Sequence, residues 1–530
     1  MEHVDVIIIG SGPAGVHAAY PLVEAGLKVT MIDGGYEGPA ILDEPCGNFE
    51  DVRRTRTDQY RLFLGEDLSS IPVSGLQGGL GGGMVSGNRG YVTAGTEVLL
   101  PLQTENALVI IQSLAKGGLA AGWGAACAYL TRSELLDMGL PADLMQVHYS
   151  AVTKRIGISG PSDHEGVQPP LALDHHAQAL EQRYHQKKAW FDHEGMRVFQ
   201  PHSAVLTQDR GNRKAYTFGD MDYYADPNGS VYRPQFSIEE LKAHPHFRYI
   251  GSHVVDRIDE NGDTVVVAAS HIINHKRGMQ EHYHARKVIC AAGAIGTARI
   301  LLRSFGIVGR ELPFIAKSHA LLACLQPSTL GTTGPKERLS LCQLLITLDQ
   351  ACAQIYSYRS LLLFRLLSSV PLPSPETLGL LSLLTPALVI ADVRFPSNAE
   401  TGSTLSLRKE SDGHDSVRIR INRNEKLSRA QRVILRRLRR GLRRLGLVTL
   451  RSLSFPEGST SHYAGTIPVT ENPHELLLSV NSDGKLHQGK NIFVADASVF
   501  RSLPSKPHTL TIMANANRIG SNVALSLNKS

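Results

Sequence analysis

Residues 6–9 are four consecutive aliphatic side chains that stop at a glycine, a pattern that predicts a buried strand running into a tight turn. Residues 16–26 then follow helical spacing, and residues 27–33 (Leu27-Lys28-Val29-Thr30-Met31-Ile32-Asp33) return to strand character. Strand, turn, helix and strand in this order predict the opening of a parallel α/β sheet. Further along, a short apolar strand is expected at 108–111, a helix at 177–188, and two strands around a turn at 264–268 and 283–290. Small residues join a strand to a helix across 291–302. A basic helix over 431–445 places Ile434, Leu438, Leu442 and Leu445 on one face. An apolar strand ends in Val494-Ala495-Asp496, and a long helix starts after Pro507, where proline suits the first turn. Residues 305–425 show mixed periodicity and are read as an insert. The glycine cluster at 78–83 holds neither helix nor strand and is expected to be a loop, either a lid or a disordered excursion.

The first turn carries the chemistry. Gly10-Ser11-Gly12-Pro13-Ala14-Gly15 is a Gly-x-Gly-x-x-Gly fingerprint between a strand and a helix. Gly10 permits the turn, Gly12 admits a pyrophosphate to the backbone, and Gly15 lets the helix lie close to the strand. The helix N-terminus offers free N–H donors and partial positive charge. Asp33 ends the second strand, where a carboxylate accepts from an adenosine ribose. Gly34 and Gly35 follow it with no arginine for a 2′-phosphate, which favours FAD or NAD over NADP. No second fingerprint exists for a nicotinamide partner.

Composition narrows the class. At 530 residues, 42% apolar and 20% charged, the chain is an ordinary globular protein of two or three domains, or one α/β domain with a large insert. A net charge of +6 over this length gives no case for nucleic acid. The six cysteines (Cys46, Cys127, Cys290, Cys324, Cys342, Cys352) form no C-x-x-C pair and no zinc spacing, so buried thiols in a reducing cytoplasm are expected. His271, His275, His282 and His284 lack carboxylate or cysteine framing, and no metal site is expected from them. The start of the chain shows neither a secretory signal pattern nor, at any point, an apolar run of membrane-spanning length. A leucine-rich stretch at 361–367 and 378–390, broken by prolines, is either packing surface or a greasy entry that allows peripheral membrane contact. The basic helix presents either a solvated face or a surface for an anionic glycan, phosphate or membrane. Tyr232-Arg233-Pro234 is either an anion contact or a turn anchor.

Three distant segments agree with one another: Gly10 to Gly15, Ala291-Ala292-Gly293-Ala294 with its helix, and Asn491-Ile492-Phe493-Val494-Ala495-Asp496-Ala497. Together with Thr509-Leu510-Thr511-Ile512-Met513-Ala514-Asn515, they resemble the flavin-binding elements of the glucose–methanol–choline (GMC) oxidoreductases. The resemblance covers about 40% of the chain, by order of magnitude, and fades across 305–425. Ser461-His462-Tyr463-Ala464-Gly465-Thr466 is similar to the family's His-x-x-Gly-Thr element, which implies that His462 accepts the substrate hydroxyl proton. An imidazole suits that task because it is largely neutral at pH 7. The family usually has Asn-Pro or His-Pro before Thr-x-Thr, whereas this chain has Pro507-His508-Thr509-Leu510-Thr511. A shift by one residue brings His508 to the flavin face; otherwise it caps or supports the helix.

Gly117-Gly118-Leu119-Ala120-Ala121-Gly122-Trp123-Gly124 is similar to an element of the sugar-oxidising, pyranose-oxidase-like branch, in which some members link flavin to a histidine before the tryptophan. Gly122 stands there instead, implying non-covalent FAD, and Ala120 and Ala121 lack the hydroxyl that often faces flavin N5. The cofactor set implied is Gly10, Ser11, Gly12, Ala14, Gly15, Asp33, Gly34, Gly117, Gly118, Gly122, Trp123, Val254, Ala292, Gly293, Asp496, Ala497 and Thr509, with His462 and His508 catalytic. Asp496 is expected to hold a ribityl or phosphate-linked hydroxyl.

The fold expected is α/β. A Rossmann-like FAD-binding domain is assembled from residues 1–155, 236–310 and 466–530, and an inserted α+β substrate domain with an antiparallel sheet from 156–235 and 311–465. The function expected is FAD-dependent oxidation of a CH–OH group in a sugar, glycoside or related alcohol. A histidine abstracts the proton, hydride passes to flavin N5, and an electron acceptor of unassigned identity follows. Alternatives are a lipophilic alcohol such as a sterol or polyprenoid, a flavin-dependent lyase or isomerase, or a flavoprotein that binds without catalysis.

Overall fold

A computed structural model describes residues 4–38, 52, 55–60, 87–105, 108–217, 219, 226–331, 341–357, 376, 380, 383–411, 414–422 and 424–528. The glycine cluster at 78–83, Cys46, Phe218, Tyr223, Tyr224 and the leucines at 361–367 lie outside these residues.

The central sheet is built by strands far apart in sequence. Val4–Ile9 lies between Val29–Ile32 and Lys276–Cys290, parallel to both. Lys276–Cys290 also pairs in parallel with Ile492–Val494, and Phe247–Ile250 extends the other side beyond Val29–Ile32. The apolar runs foreseen at 6–9 and 492–494 are buried on both faces, as parallel strands under helices must be. Helix Pro13–Glu24 covers one face and is crossed by the terminal helix Thr509–Asn528. The crossing is tight because Gly520 sits there: a Cβ on it would lie 2.3 Å from the Ala18 carbonyl oxygen.

The insert is a six-stranded antiparallel sheet. Its order is Val448–Phe455, His319–Leu325, Leu388–Arg394, Ala351–Ser357, Leu344–Leu348 and Met196–Phe199. One face packs Leu322, Ala353, Ala391 and Val393 against Leu435, Leu438 and Leu442 of the basic helix, which spans Glu425–Arg444. Helices His175–Gln186 and Lys188–His193 complete that layer. The other face turns toward the central sheet. A smaller four-stranded sheet joins Leu102–Thr104 to Asp415–Arg420, bracing the two regions.

Two expectations need correction. Residues 108–111 form no strand; the Ile111 N–H donates instead to the Tyr463 hydroxyl at 3.2 Å. The strands expected at 264–268 and 283–290 extend to Thr264–Ile273 and Lys276–Cys290, a long hairpin whose outer part is exposed, so its polar residues masked it. Among the described residues no helix is long and apolar enough to cross a membrane. Alanine normally gains about 0.5–1 kcal/mol over glycine inside a helix. Gly520→Ala should do the reverse and lower stability by about 1–2 kcal/mol, because the added carbon meets backbone. The urea unfolding midpoint measures this, and a raised midpoint would contradict the close crossing.

Candidate active site

A cavity of about 640 Å³ opens where the parallel strands end and runs up to the inner face of the six-stranded sheet. This is the edge at which open α/β sheets bind ligands. Its floor is the fingerprint turn. Gly10 has φ +98°, and a Cβ there would lie 2.6 Å from the Ala291 carbonyl oxygen. A Cβ on Gly15 would fall 1.9 Å from the Gly10 carbonyl oxygen, so this residue seats the helix on the strand. Positions Gly12 and Gly293 are different: a Cβ on either meets no protein atom within 4 Å, and both line the cavity. The helix above Gly12 has no side-chain cap, leaving its first N–H groups to a ligand.

Asp33 is buried and accepts from the N–H groups of Ser11 and Gly35 and the Tyr249 hydroxyl, at 2.9–3.0 Å. Burial raises its pKa, and those three donors oppose the rise. Beside it, the Leu114 carbonyl fits against Gly34 so closely that a Cβ would stand 2.5 Å away. This end of the cavity contains buried polar atoms without partners among the described residues. Arg299 gives one nitrogen to the carbonyls of Leu100 and Pro101, while Nε and Nη1 are unmatched. Gln112 donates to the same Leu100 carbonyl and leaves Oε1 unmatched. An acceptor and two donors, beside a ribose-type carboxylate and glycines open toward a phosphate, fit the adenosine diphosphate half of FAD.

At the other end, Gly465 and Thr466 fix the loop that carries His462. The Gly465 N–H donates to the Ala497 carbonyl at 3.1 Å, and the Thr466 hydroxyl to the Ala294 carbonyl at 2.9 Å. The short strand Tyr463–Ala464 pairs with Ile315–Ala316, which brings Lys317 alongside His462. His508, just before the terminal helix, has its ring centroid 5.0 Å from that of His462. Pro507 and His508 both line the cavity, so the unusual Pro-His order does present an imidazole here.

Both rings are held through Nδ1. Arg394 Nη1 lies 3.0 Å from Nδ1 of His462, while its Nε and Nη2 grip Asp392. A guanidinium can only donate, so Nδ1 of His462 accepts and the neutral ring carries its proton on Nε2. The Lys317 amine donates to the Lys506 carbonyl at 3.0 Å and sits 3.1 Å from Nδ1 of His508. Burial, then Arg394, holds the pKa of His462 well below 6.5. Burial, then Lys317, does the same for His508, and the Lys506 carbonyl works the other way. Burial also pushes the Lys317 ammonium well below its usual value.

Most of the residues foreseen from sequence meet in this cavity: Gly10, Ser11, Gly12, Ala14, Asp33, Gly34, Gly118, Trp123, Val254, Ala292, Gly293, Asp496, Ala497 and Thr509 line it, with His462 and His508. Gly15, Gly117 and Gly122 lie behind its wall; the Gly117 N–H donates to the Ser11 hydroxyl. Asp496 departs from expectation. Its two oxygens accept from the Gly293 N–H, the Thr297 hydroxyl, and the N–H and hydroxyl of Ser498, which engages the carboxylate within the protein. Arg233 anchors a turn, bonding the Ala121 carbonyl and Asp226. His275, His282 and His284 are exposed along the hairpin, with His275 touching the Tyr36 hydroxyl. Sequence reading missed Lys317, His319, Asp392 and Arg394. The available signal was period two: polar residues at alternate positions of Leu388–Arg394 and at the start of His319–Leu325.

Comparisons with known proteins agree with this architecture. Residues 403–516 match the GMC oxidoreductase family, and residues 4–71 match the pyridine nucleotide-disulphide oxidoreductase family. Paromamine 6'-oxidase of Streptomyces fradiae is 24% identical over 563 residues, covering 98% of this chain and 91% of that protein. The crystal structure of pyridoxine 4-oxidase from Mesorbium loti superposes with a TM-score of 0.59 over 100% of both chains at 15% identity, a likeness of fold. Family matches at opposite ends of one polypeptide, with those ends joined in one sheet, mark an FAD-dependent oxidoreductase whose residues 403–516 are similar to the GMC oxidoreductases.

Proposed function

We propose that the enzyme oxidises a CH–OH carbon of a sugar, glycoside or related small alcohol, using FAD held without a covalent link. The observation that carries this reading is the His462–His508 pair in the same cavity as the fingerprint turn. The relative named paromamine 6'-oxidase supports an oxidase chemistry. FAD bound on the turn supplies the hydride acceptor. The protein's share is to orient the carbinol and take its proton. The Arg394 contact favours His462 as the N–H donor that steadies the substrate oxygen. That leaves His508 as the acceptor, through Nε2, with its Nδ1 proton directed to the Lys506 carbonyl. This reverses the role expected of His462 from the motif alone. Gly122, beside Trp123, offers no side chain for a flavin link.

A lipophilic alcohol is the second reading. Leu453, at the mouth of the cavity, and nearby Leu450 are 39% and 56% exposed on the edge strand.

Anaerobic mixing with alcohols tests the reaction class: bleaching of the flavin band supports hydride removal, and turnover without bleaching indicates a lyase or isomerase. Asparagine keeps an N–H donor but is no base, so His462→Asn should retain at least tenfold more of the flavin-reduction rate than His508→Asn, by order of magnitude. The opposite ranking would return the base to His462. Because both imidazoles are held below 6.5, they stay neutral as pH falls, and the reduction rate should be flat between about pH 8 and 6. A break near 6.5 in stopped-flow traces would contradict their burial. Flavin should leave with the supernatant on acid precipitation, and Arg299→Met should weaken FAD retention by about tenfold or more with FMN binding unchanged, read by flavin fluorescence.

A further inference from the structure

His319 lines the cavity with two ring nitrogens that, among the described residues, neither the fold nor the histidine pair uses. It begins the strand His319–Leu325 and pairs directly with Arg394 on one side and Phe455 on the other. Opposed residues in an antiparallel pair project on the same face, so His319 stands beside the side chain that holds His462. It lines the cavity and is 4% exposed, yet neither ring nitrogen has a hydrogen-bond partner among the described residues. Among the described residues its ring meets Phe455 edge-on, at 4.6 Å between centroids, which packs the ring and satisfies no nitrogen. Burial, the larger effect, and Arg394 push its pKa down to about 4 against an opposing pull from Asp392, so the ring is neutral at pH 7. A neutral imidazole offers one donor and one acceptor. Leaving both unmet in a buried site is costly, and buried polar groups of this kind are normally matched.

The neighbouring groups do not answer that need. Asp392 is engaged by Arg394, and the Tyr356 hydroxyl donates to Gln354. We infer that His319 is a specificity-determining residue that receives a second hydroxyl of the substrate, adjacent to the carbinol held at His462 and His508, so that the enzyme selects polyhydroxylated rings over lipophilic monoalcohols. A hydroxyl both donates and accepts, and therefore matches either nitrogen. A sterol or polyprenoid presents only the reacting oxygen and leaves both nitrogens bare. Sites built around a hydrogen bond reject analogues lacking that group strongly, because the protein partner is then stranded.

The inference rests on the alcohol-oxidation reading, and the experiment separates the two. Wild-type holoenzyme is mixed anaerobically with methyl hexopyranosides, their monodeoxy analogues and cyclohexylmethanol. If none bleaches the flavin, both readings fall. If cyclohexylmethanol is oxidised as efficiently as the hexopyranosides, alcohol oxidation stands and the role of His319 is overturned. The expected result is a preference for a hexopyranoside and a loss of about 10- to 100-fold in kcat/KM for one of its monodeoxy analogues. His319→Phe should erase that difference by lowering activity on the parent sugar alone, while His319→Gln, which keeps a donor and an acceptor, should restore part of it. Equal losses on every substrate in His319→Phe would show a merely structural role. Should that variant fail to fold with flavin, the wild-type deoxy series and His319→Gln decide the matter.

Discussion

The Asp496 carboxylate is the joint on which the cavity depends. It follows the strand Ile492–Val494 and accepts from Gly293 and Thr297 at the start of a helix some two hundred residues earlier in the chain. Backbone pairing continues the connection: Ala495 donates to Cys290, Ala291 to Ile9, and Gly10 to Ile32. Four strands thus end side by side, and the small residues that follow them leave open space above. The arrangement has a cost, since burial disfavours the charged carboxylate; four donors offset it. An aspartate expected to serve the ligand directly therefore serves it by holding the glycine turn that the ligand must approach.

The nucleotide-binding half was legible because its constraints are local. Gly10 needs positive φ, Gly15 needs to lack a side chain, and each requirement falls within a few residues of an apolar run. Long-range order then follows from strands too apolar to face water. The six-stranded sheet was illegible for the converse reason. Ala351–Ser357 is buried at every position and Leu388–Arg394 at most, because helices cover one face and the cavity the other. The usual contrast between wet and dry faces is thereby lost, and period two survives only as a polar residue at intervals. Asp392 and Arg394 look like interruptions of a strand until the fold turns them inward. His319 was likewise one of 22 histidines with no motif to mark it.

The histidine pair shows how a motif can identify residues without assigning their protons. His-x-x-Gly-Thr points to His462 through its glycine and threonine, which fasten the loop to Ala497 and Ala294. Nothing in that spacing reveals Arg394, which arrives from another strand and occupies the Nδ1 lone pair. The tautomer, and with it the choice between giving and taking a proton, belongs to the tertiary neighbour. The same holds for His508, whose Nδ1 lies beside the Lys317 amine, itself bonded to the Lys506 carbonyl.

The distribution of unmatched polar atoms gives the cavity a direction. Arg299 and Gln112 leave donors and an acceptor at the end near Asp33, and His319 leaves one of each beneath the antiparallel sheet. Glycine and alanine form part of the lining: Gly12, Gly118, Ala120, Ala292 and Gly293. These small residues admit a flat ring system closely, while the ends require hydrogen-bonding groups of opposite origin, one from a nucleotide and one from a second molecule. The three carboxylates on the wall (Asp33, Asp392 and Asp496) are each hydrogen-bonded within the protein. An ammonium near the reacting carbon would find none of them free, whereas a hydroxyl needs no counter-charge. The same accounting of lone pairs that makes the floor suit a dinucleotide underlies the proposal of a neutral, hydroxylated ring beneath the roof.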